Sequence, residues 1–195
     1  MALLACKMCP EPVRKVVFTL YGSFSKTYHG HGTDRALLGG ILGFHTDDAR
    51  IRDAFEWAEK MGVEYEFVID EETKTDHPNT ADMDITGVNG YRLSVRGESI
   101  GGGKIKIVRI NGIDVEFTGE YSTLIVRQID KPGVVAHITQ CLSKEEVNIA
   151  FMRLFREDKG ATAFTVVESD EQIPEEILAE IQKNEHVQDL MLVQM

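Results

Sequence analysis

Two hydrophobic periods alternate along this chain. Short β-branched or aromatic runs mark strands, and apolar residues three or four apart mark helices. From residue 123 the run Thr123-Leu124-Ile125-Val126-Arg127 predicts a strand and Pro132-Gly133 a tight turn. Val134, Ile138, Cys141 and Leu142 then recur at helical spacing, and Val147-Asn148-Ile149 opens the next run. Residues 148–157 and 161–168 predict an antiparallel pair about an Asp158-Lys159-Gly160 turn. Pro174 suits the first turn of a helix bearing Ile177, Leu178 and Ile181, and residues 187–193 make a closing strand. Strand, helix, strand, strand, helix, strand is the split βαβ order, with both helices on one face and edges left for pairing.

The first half is patterned differently. Residues 1–8 look like the tail of a helix with no capping residue, which suggests chain upstream, and 15–21 read as a buried strand ended by Gly22-Ser23-Phe24. Thr33 is a natural N-cap for a helix carrying Ala36, Leu37, Leu38 and Ile41. Thr46 is expected to cap a second helix, with Asp47 and Asp48 in its first turn, Ile51, Phe55 and Ala58 as its buried stripe, and Gly62 as its stop. Trp57 on that helix reads as packing. Residues 63–69 predict a strand with Val63, Tyr65 and Phe67 on one face, followed by a charged, solvated loop over 70–76. Asn89-Gly90 and Asn111-Gly112 each sit between apolar runs, 83–88 with 91–95 and 105–110 with 113–117, and each predicts a two-residue hairpin turn. The fold class expected is α+β: an α/β module over about 1–120, then a ferredoxin-like βαββαβ module over 121–195.

Composition narrows the partners. With 195 residues, 43% of them hydrophobic, the chain can bury two modest cores. Its 21 basic and 32 acidic residues give a net charge of -11, which disfavours nucleic acid and anionic membranes. No apolar run reaches membrane-span length and no secretion signal opens the chain, so a cytoplasmic location is expected. Cys6 and Cys9 form a lone C-x-x-C, and the one other cysteine, Cys141, completes neither a disulfide framework nor a metal cluster held by this chain alone.

Four stretches carry candidate chemistry. In Tyr28-His29-Gly30-His31-Gly32-Thr33-Asp34 the glycines lead into a helix start. His29 and His31 there can serve proton transfer, an anion site or a metal, or can simply be solvated. His77-Pro78-Asn79-Thr80 is a turn whose His and Asn can also reach a substrate. Ser99-Ile100-Gly101-Gly102-Gly103-Lys104 is either a bend joining two hairpins or a set of converging N–H groups that hold an anion, with Lys104 adding charge. It matches neither a P-loop nor a dinucleotide fingerprint. The Pro132-Gly133 turn is either ordinary turn chemistry or a pocket for a free amino acid. In the second case the N–H groups near Gly133 face a carboxylate, and Asp130 and Asn148 accept from an ammonium group.

Residues 123–195 resemble an ACT domain, through Gln128, Asp130, Pro132-Gly133 and Val147-Asn148-Ile149. Such modules pair with a second copy and bind an amino acid at the interface. The nearest likeness is to the serine-binding version in bacterial phosphoglycerate dehydrogenases, where histidine and asparagine stand at the positions of Gln128 and Asp130. Tyr21-Gly22-Ser23-Phe24, His29-Gly30-His31-Gly32-Thr33-Asp34, His77-Pro78-Asn79-Thr80 and Ser99-Ile100-Gly101-Gly102-Gly103-Lys104-Ile105 occur in this order in the beta subunit of bacterial iron-sulfur L-serine dehydratase. That resemblance implies an allosteric substrate-binding domain that covers the catalytic face of an alpha subunit. The alpha subunit holds the four-iron (4Fe-4S) cluster, and L-serine becomes pyruvate and ammonia without pyridoxal phosphate.

Carried onto this sequence, the resemblance implies His29 and His31 as catalytic candidates. Asn79, Thr80, Gly101, Gly102, Gly103 and Lys104 become substrate-binding candidates, and Gln128, Asp130, Gly133 and Asn148 effector-binding ones. No metal ligand is expected in this chain, and a homodimer through the ACT modules is. Beta subunits of the family begin with a Gly-Pro-Ser-Ser-Ser-His-Thr-like segment that is missing here, so the chain is expected to be trimmed or misassigned at its start. A regulatory amino-acid-binding protein without catalysis is the alternative.

Overall fold

A computed structural model describes residues 1–156 and 158–194. Glu157, the expected end of a strand, and Met195 lie outside the described residues. The chain divides into two compact units, residues 1–112 and 113–195, at the turn formed by Asn111 and Gly112. The fold is α+β in both.

The first unit runs α1 (Ala2–Met8), β1 (Val13–Tyr21), α2 (Gly22–Thr27), α3 (Thr33–Ile41), a 3-10 turn (Ala49–Asp53), α4 (Ala54–Met61), β2 (Glu64–Asp70), β3 (Thr80–Gly87), β4 (Arg92–Gly101) and β5 (Lys104–Ile110); β6 (Ile113–Phe117) follows. Hydrogen-bonded order within the first unit is β2-β1-β3-β4-β5, with β1 and β2 parallel and β1-β3-β4-β5 antiparallel. Period-2 alternation sorts the sheet. Val16, Phe18 and Leu20 of β1 are fully buried, as are Met83 and Val95 of its neighbours, while Thr19, Asp82 and Arg96 on the other face are half-buried. Gly40 lets α3 lie on α1, since a Cβ there would come within 2.8 Å of Ala2 and Leu3.

Several sequence expectations are corrected here. Gly32, not Thr33, caps α3; its φ of +70° is the left-handed conformation that glycine adopts without a side-chain clash, and Thr33 is the first helical residue. Thr46 caps nothing. The Asp48 carboxylate takes the Arg50 N–H at 2.9 Å, which winds residues 49–53 into a 3-10 turn before α4. Ile51 and Phe55 are only half-buried, leaving Ala54 and Ala58 as the packed residues. Gly22, Ser23 and Phe24 end the strand as expected, and residues 22–27 add the short helix α2, which was not expected.

The glycine run is a third hairpin rather than a bend between two. Gly101 pairs with Lys104, and Gly102 and Gly103, at φ +62° and +78°, make its two-residue tip. The Asn89-Gly90 turn also differs from expectation. Thr86 pairs with Arg92 and Gly87 N–H bonds the Tyr91 carbonyl at 2.9 Å, so three residues turn the chain instead of two. The Glu11 carboxylate accepts from Asn89 N–H at 2.8 Å and Tyr91 N–H at 3.4 Å, which sets that register. Asn111 and Gly112, at φ +49° and +85°, have the two left-handed residues expected of a two-residue turn.

After β6, the second unit runs β7 (Ser122–Ile129), α5 (Val134–Lys144), β8 (Phe151–Arg156), β9 (Thr162–Ser169), α6 (Glu176–Ile181) and β10 (Val187–Val193), with sheet order β10-β7-β9-β8. This is the ferredoxin-like arrangement. Both helices cover one face, where Leu124, Val126 and Val167 pack with Val134, Ile138, Leu142, Ile177 and Ile181. Strand β8 begins at Phe151, three residues later than Asn148, and α6 begins two residues past Pro174.

Candidate functional site

The stretches Tyr21-Gly22-Ser23-Phe24, His77-Pro78-Asn79-Thr80 and the one from Ser99 meet at one end of the first sheet, where β1 and β4 finish and β3 starts. The Ser23 N–H donates to the Pro78 carbonyl at 2.6 Å, and the Ser99 N–H donates to the Asn79 carbonyl at 2.9 Å. Gly22 is required at the first junction: its φ is +56° and a Cβ would lie 2.5 Å from the Pro78 oxygen. The Asn79 amide reaches the Ser99 carbonyl at 3.5 Å. Thr80, expected at the substrate, is fully buried and its hydroxyl donates to the His77 carbonyl at 2.6 Å, so it braces the turn instead.

The histidine stretch hangs from this junction through α2. Thr27 donates its hydroxyl to the Ser23 carbonyl at 2.9 Å, and its own carbonyl takes the His31 N–H at 3.1 Å. The histidine loop is thereby tied to the Pro78 turn by successive hydrogen bonds. Within it the two imidazoles differ. The Nδ1 of His29 lies 2.8 Å from Asp34 Oδ2, whose side chain is 4% exposed, while the His29 ring is 78% exposed. A carboxylate accepts, so this contact is made by the Nδ1–H form of the His29 ring. His31 is exposed, and no side chain among the described residues bonds its ring.

An anion site at the start of α3 is excluded by its own hydrogen bonds. Thr33 and Asp34 N–H both donate to the Tyr28 carbonyl, at 2.8 and 3.4 Å, and Arg35 N–H donates to Asp34 Oδ1 at 2.8 Å. Gly101, Gly102 and Gly103 are exposed at the hairpin tip beside exposed Ile100, with open space where any Cβ would stand. Two hollows of about 340 and 300 Å³ lie elsewhere, lined by Asp84, Arg92 and Asn111 in one and by Cys6, Ile41 and Val63 in the other.

Sequence reading missed a polar triad on this sheet. Arg96 grips Asp82 through Nε at 2.6 Å and Nη2 at 2.7 Å, and the Tyr21 hydroxyl donates to Asp82 at 2.8 Å. Burial and the Asp82 carboxylate push the Tyr21 phenol up to about 12, and Asp82 raises the Arg96 guanidinium. Asp82 and Arg96 are direct cross-strand partners. The signal was an acid and a base on the two arms of one hairpin, but a two-residue turn would have put them on opposite faces.

In the second unit the four expected effector residues separate. Gln128 is buried and accepts from the Thr165 hydroxyl at 3.2 Å. Asp130 is engaged: Arg156 Nη1 donates to it at 2.7 Å and Gly160 N–H at 3.1 Å, and these donors hold its carboxyl below the usual range. Gly133, at φ +92°, caps α5 with no side-chain cap. Among the described residues no acceptor meets the Val135 and Ala136 N–H groups behind it. Asn148 is exposed, and its own N–H donates to Glu171 at 3.3 Å.

Among the described residues no three His, Cys, Asp or Glu side chains group as metal ligands, and no helix is long and apolar enough to cross a membrane. Burial pushes the Cys6 and Cys9 thiols up, away from the thiolate form that binds iron.

Comparison with known proteins agrees with the two-part layout. The serine dehydratase beta chain family matches residues 2–108, and the ACT domain matches 122–186. The probable L-serine dehydratase beta chain of Bacillus subtilis is 40% identical over 173 residues, which cover 89% of this chain and 77% of that one. The L-serine dehydratase beta chain of Peptoniphilus asaccharolyticus is 39% identical over 180 residues, covering 92% and 81%. D-3-phosphoglycerate dehydrogenase of Bacillus subtilis is 25% identical over 179 residues but only 34% of its length is covered. With both modules found in place and the match running through all four motif stretches, this chain belongs to the serine dehydratase beta chain family and carries an ACT domain.

Proposed function

We propose that this chain is the beta subunit of an iron-sulfur-dependent L-serine dehydratase, which converts L-serine to pyruvate and ammonia in the cytoplasm. A separate alpha subunit carries the four-iron cluster, and the chain pairs with a second copy through its ACT module. The observation that carries this reading is the convergence of the histidine loop, the Pro78 turn and the end of β4 on one sheet end, in a chain 40% identical to a named beta chain. Loss of water from serine needs a base at the α-proton and an acid at the hydroxyl. Of the two imidazoles, His29 is fixed by Asp34 through Nδ1 and His31 is unrestrained, so each can meet a substrate held against a partner chain. Asn79, the backbone of Gly101, Gly102 and Gly103, and Lys104 are assigned to the substrate carboxylate. The effector, an amino acid such as L-serine, is assigned to the start of α5 with Gln128 and Asp130 beside it; Asn148 stands at the other end of the sheet, ahead of β8.

The likeness to D-3-phosphoglycerate dehydrogenase over both modules favours a second reading, an amino-acid-binding regulator without catalysis. Reconstitution with the alpha subunit separates the two. His29→Gln and His31→Gln are each expected to lower pyruvate formation by roughly 100-fold while calorimetric binding of L-serine to the isolated chain is unchanged. Full turnover in both variants would remove the histidines from the site, and an inactive wild-type complex that still binds L-serine would leave the regulator.

A further inference from the structure

Strand β8 holds the effector turn with one arginine and residues 116–121, at the start of the second unit, with another. It is the outermost strand of its sheet and pairs with β9 alone. Toward the helix-covered face, Arg156 donates to Asp130 at 2.7 Å, beside the start of α5. From the opposite face, three residues earlier, Arg153 Nη1 donates to the Glu116 carbonyl at 2.9 Å and lies 3.7 Å from the Glu168 carboxylate, which is 6% exposed. Glu168 also accepts from the Thr118 N–H. Phe151, at the head of the same strand, meets Tyr121 edge-on with ring centroids 5.4 Å apart. Contacts to residues 116, 118 and 121 thus fasten this stretch of the second unit to β8 and its neighbour.

We propose that β8 is a coupling strand: displacing Arg156 from Asp130 at the effector turn shifts β8 and loosens residues 116–121 through Arg153. The physical reason lies in the edge position, because a strand paired on one side only can shift without breaking the sheet interior. Asp130 is the link an arriving amino acid would contest, since its ammonium group and the Arg156 guanidinium seek the same carboxylate. This inference rests on the effector reading for the identity of the ligand, but its test does not.

Hydrogen exchange of the full chain tests it without ligand. Arg156→Gln is expected to raise exchange of the 116–121 amides about tenfold while amides of β10, on the far edge, stay at the wild-type rate. Arg153→Lys keeps the charge but loses the guanidinium fork. Adding Arg156→Gln to it should then move 116–121 no further, because the strand no longer grips the segment. Unchanged 116–121 exchange in Arg156→Gln, or equal loosening of β10, overturns the proposal. L-serine added to the wild type forms a separate arm: binding with loosening at 116–121 supports both readings. Absence of binding alongside an intact Arg156→Gln response sinks the effector assignment and leaves the coupling standing.

Discussion

Helices α3 and α5 begin alike and offer opposite chemistry. Each is capped by a glycine in the left-handed region, Gly32 at φ +70° and Gly133 at φ +92°, with no side-chain cap. At α3 the first three N–H groups are consumed by the Tyr28 carbonyl and the buried Asp34 carboxylate, and the Asp34 carboxylate also fixes His29. At α5 the Val135 and Ala136 N–H groups meet no acceptor among the described residues, and the nearby acid, Asp130, is turned to Arg156. A closed helix start orients an imidazole, whereas an open one can take an anion. The partial charge of a helix terminus is common to both; the hydrogen-bond accounting separates them.

The largest effect is expected where the closed start is broken. Asp34→Ala leaves the Arg35 N–H without its acceptor and His29 without its anchor, and should cost about 2 kcal/mol in urea unfolding. Loss of under about 0.5 kcal/mol would mean that water replaces the carboxylate and the start is not closed. Next come the two caps. A Cβ at Gly32 or Gly133 meets nothing within 4 Å, so Gly32→Ala and Gly133→Ala should each cost about 1 kcal/mol for the left-handed backbone alone. Calorimetry then sharpens the comparison: L-serine binding should weaken in Gly133→Ala and stay unchanged in Gly32→Ala.

The smallest effect is expected at Asp130, through pH. Its carboxyl is held below the usual range by the Gly160 N–H and by Arg156. The stability it contributes is therefore complete above the unfolded-state value of about 3.9 and is lost as pH falls through the lower folded-state value. Asp130→Asn should lower the melting temperature slightly at neutral pH, flatten the acid limb of the profile and converge with the wild type at low pH. A steeper acid limb in the variant would show that Asp130 is not paired in the folded state.

Much of the fold was legible because hydrophobic period and turn chemistry are local. The order of the second unit follows from runs such as Thr123-Leu124-Ile125-Val126 and from Gly133, and the buried stripe Val134, Ile138 and Leu142 is where helical spacing puts it. Candidate chemistry was legible as residue type. His29, His31 and Asn79 stand at the same sheet end, but Thr80 turned out to be spent on His77, and Asp130 on Arg156 and Gly160. Tyr21, Asp82 and Arg96 were missed although Asp82 and Arg96 lie on the two arms of one hairpin, because their meeting depends on strand register.

By itself, then, the sequence determined which segments are strands and helices, where glycine is obligatory, and which side chains can do chemistry, since each depends on neighbours within a few positions. Tertiary structure alone decided register and occupancy. Two Asn-Gly pairs make different turns because Glu11, 78 residues from Asn89, captures one of them. Two glycine-capped helices differ because Asp34 and Tyr28 close the first. In the first case an acceptor brought in by folding chose between turns that the local sequence permits about equally, and in the second the folded path of the loop turned near neighbours of Gly32 onto the helix start.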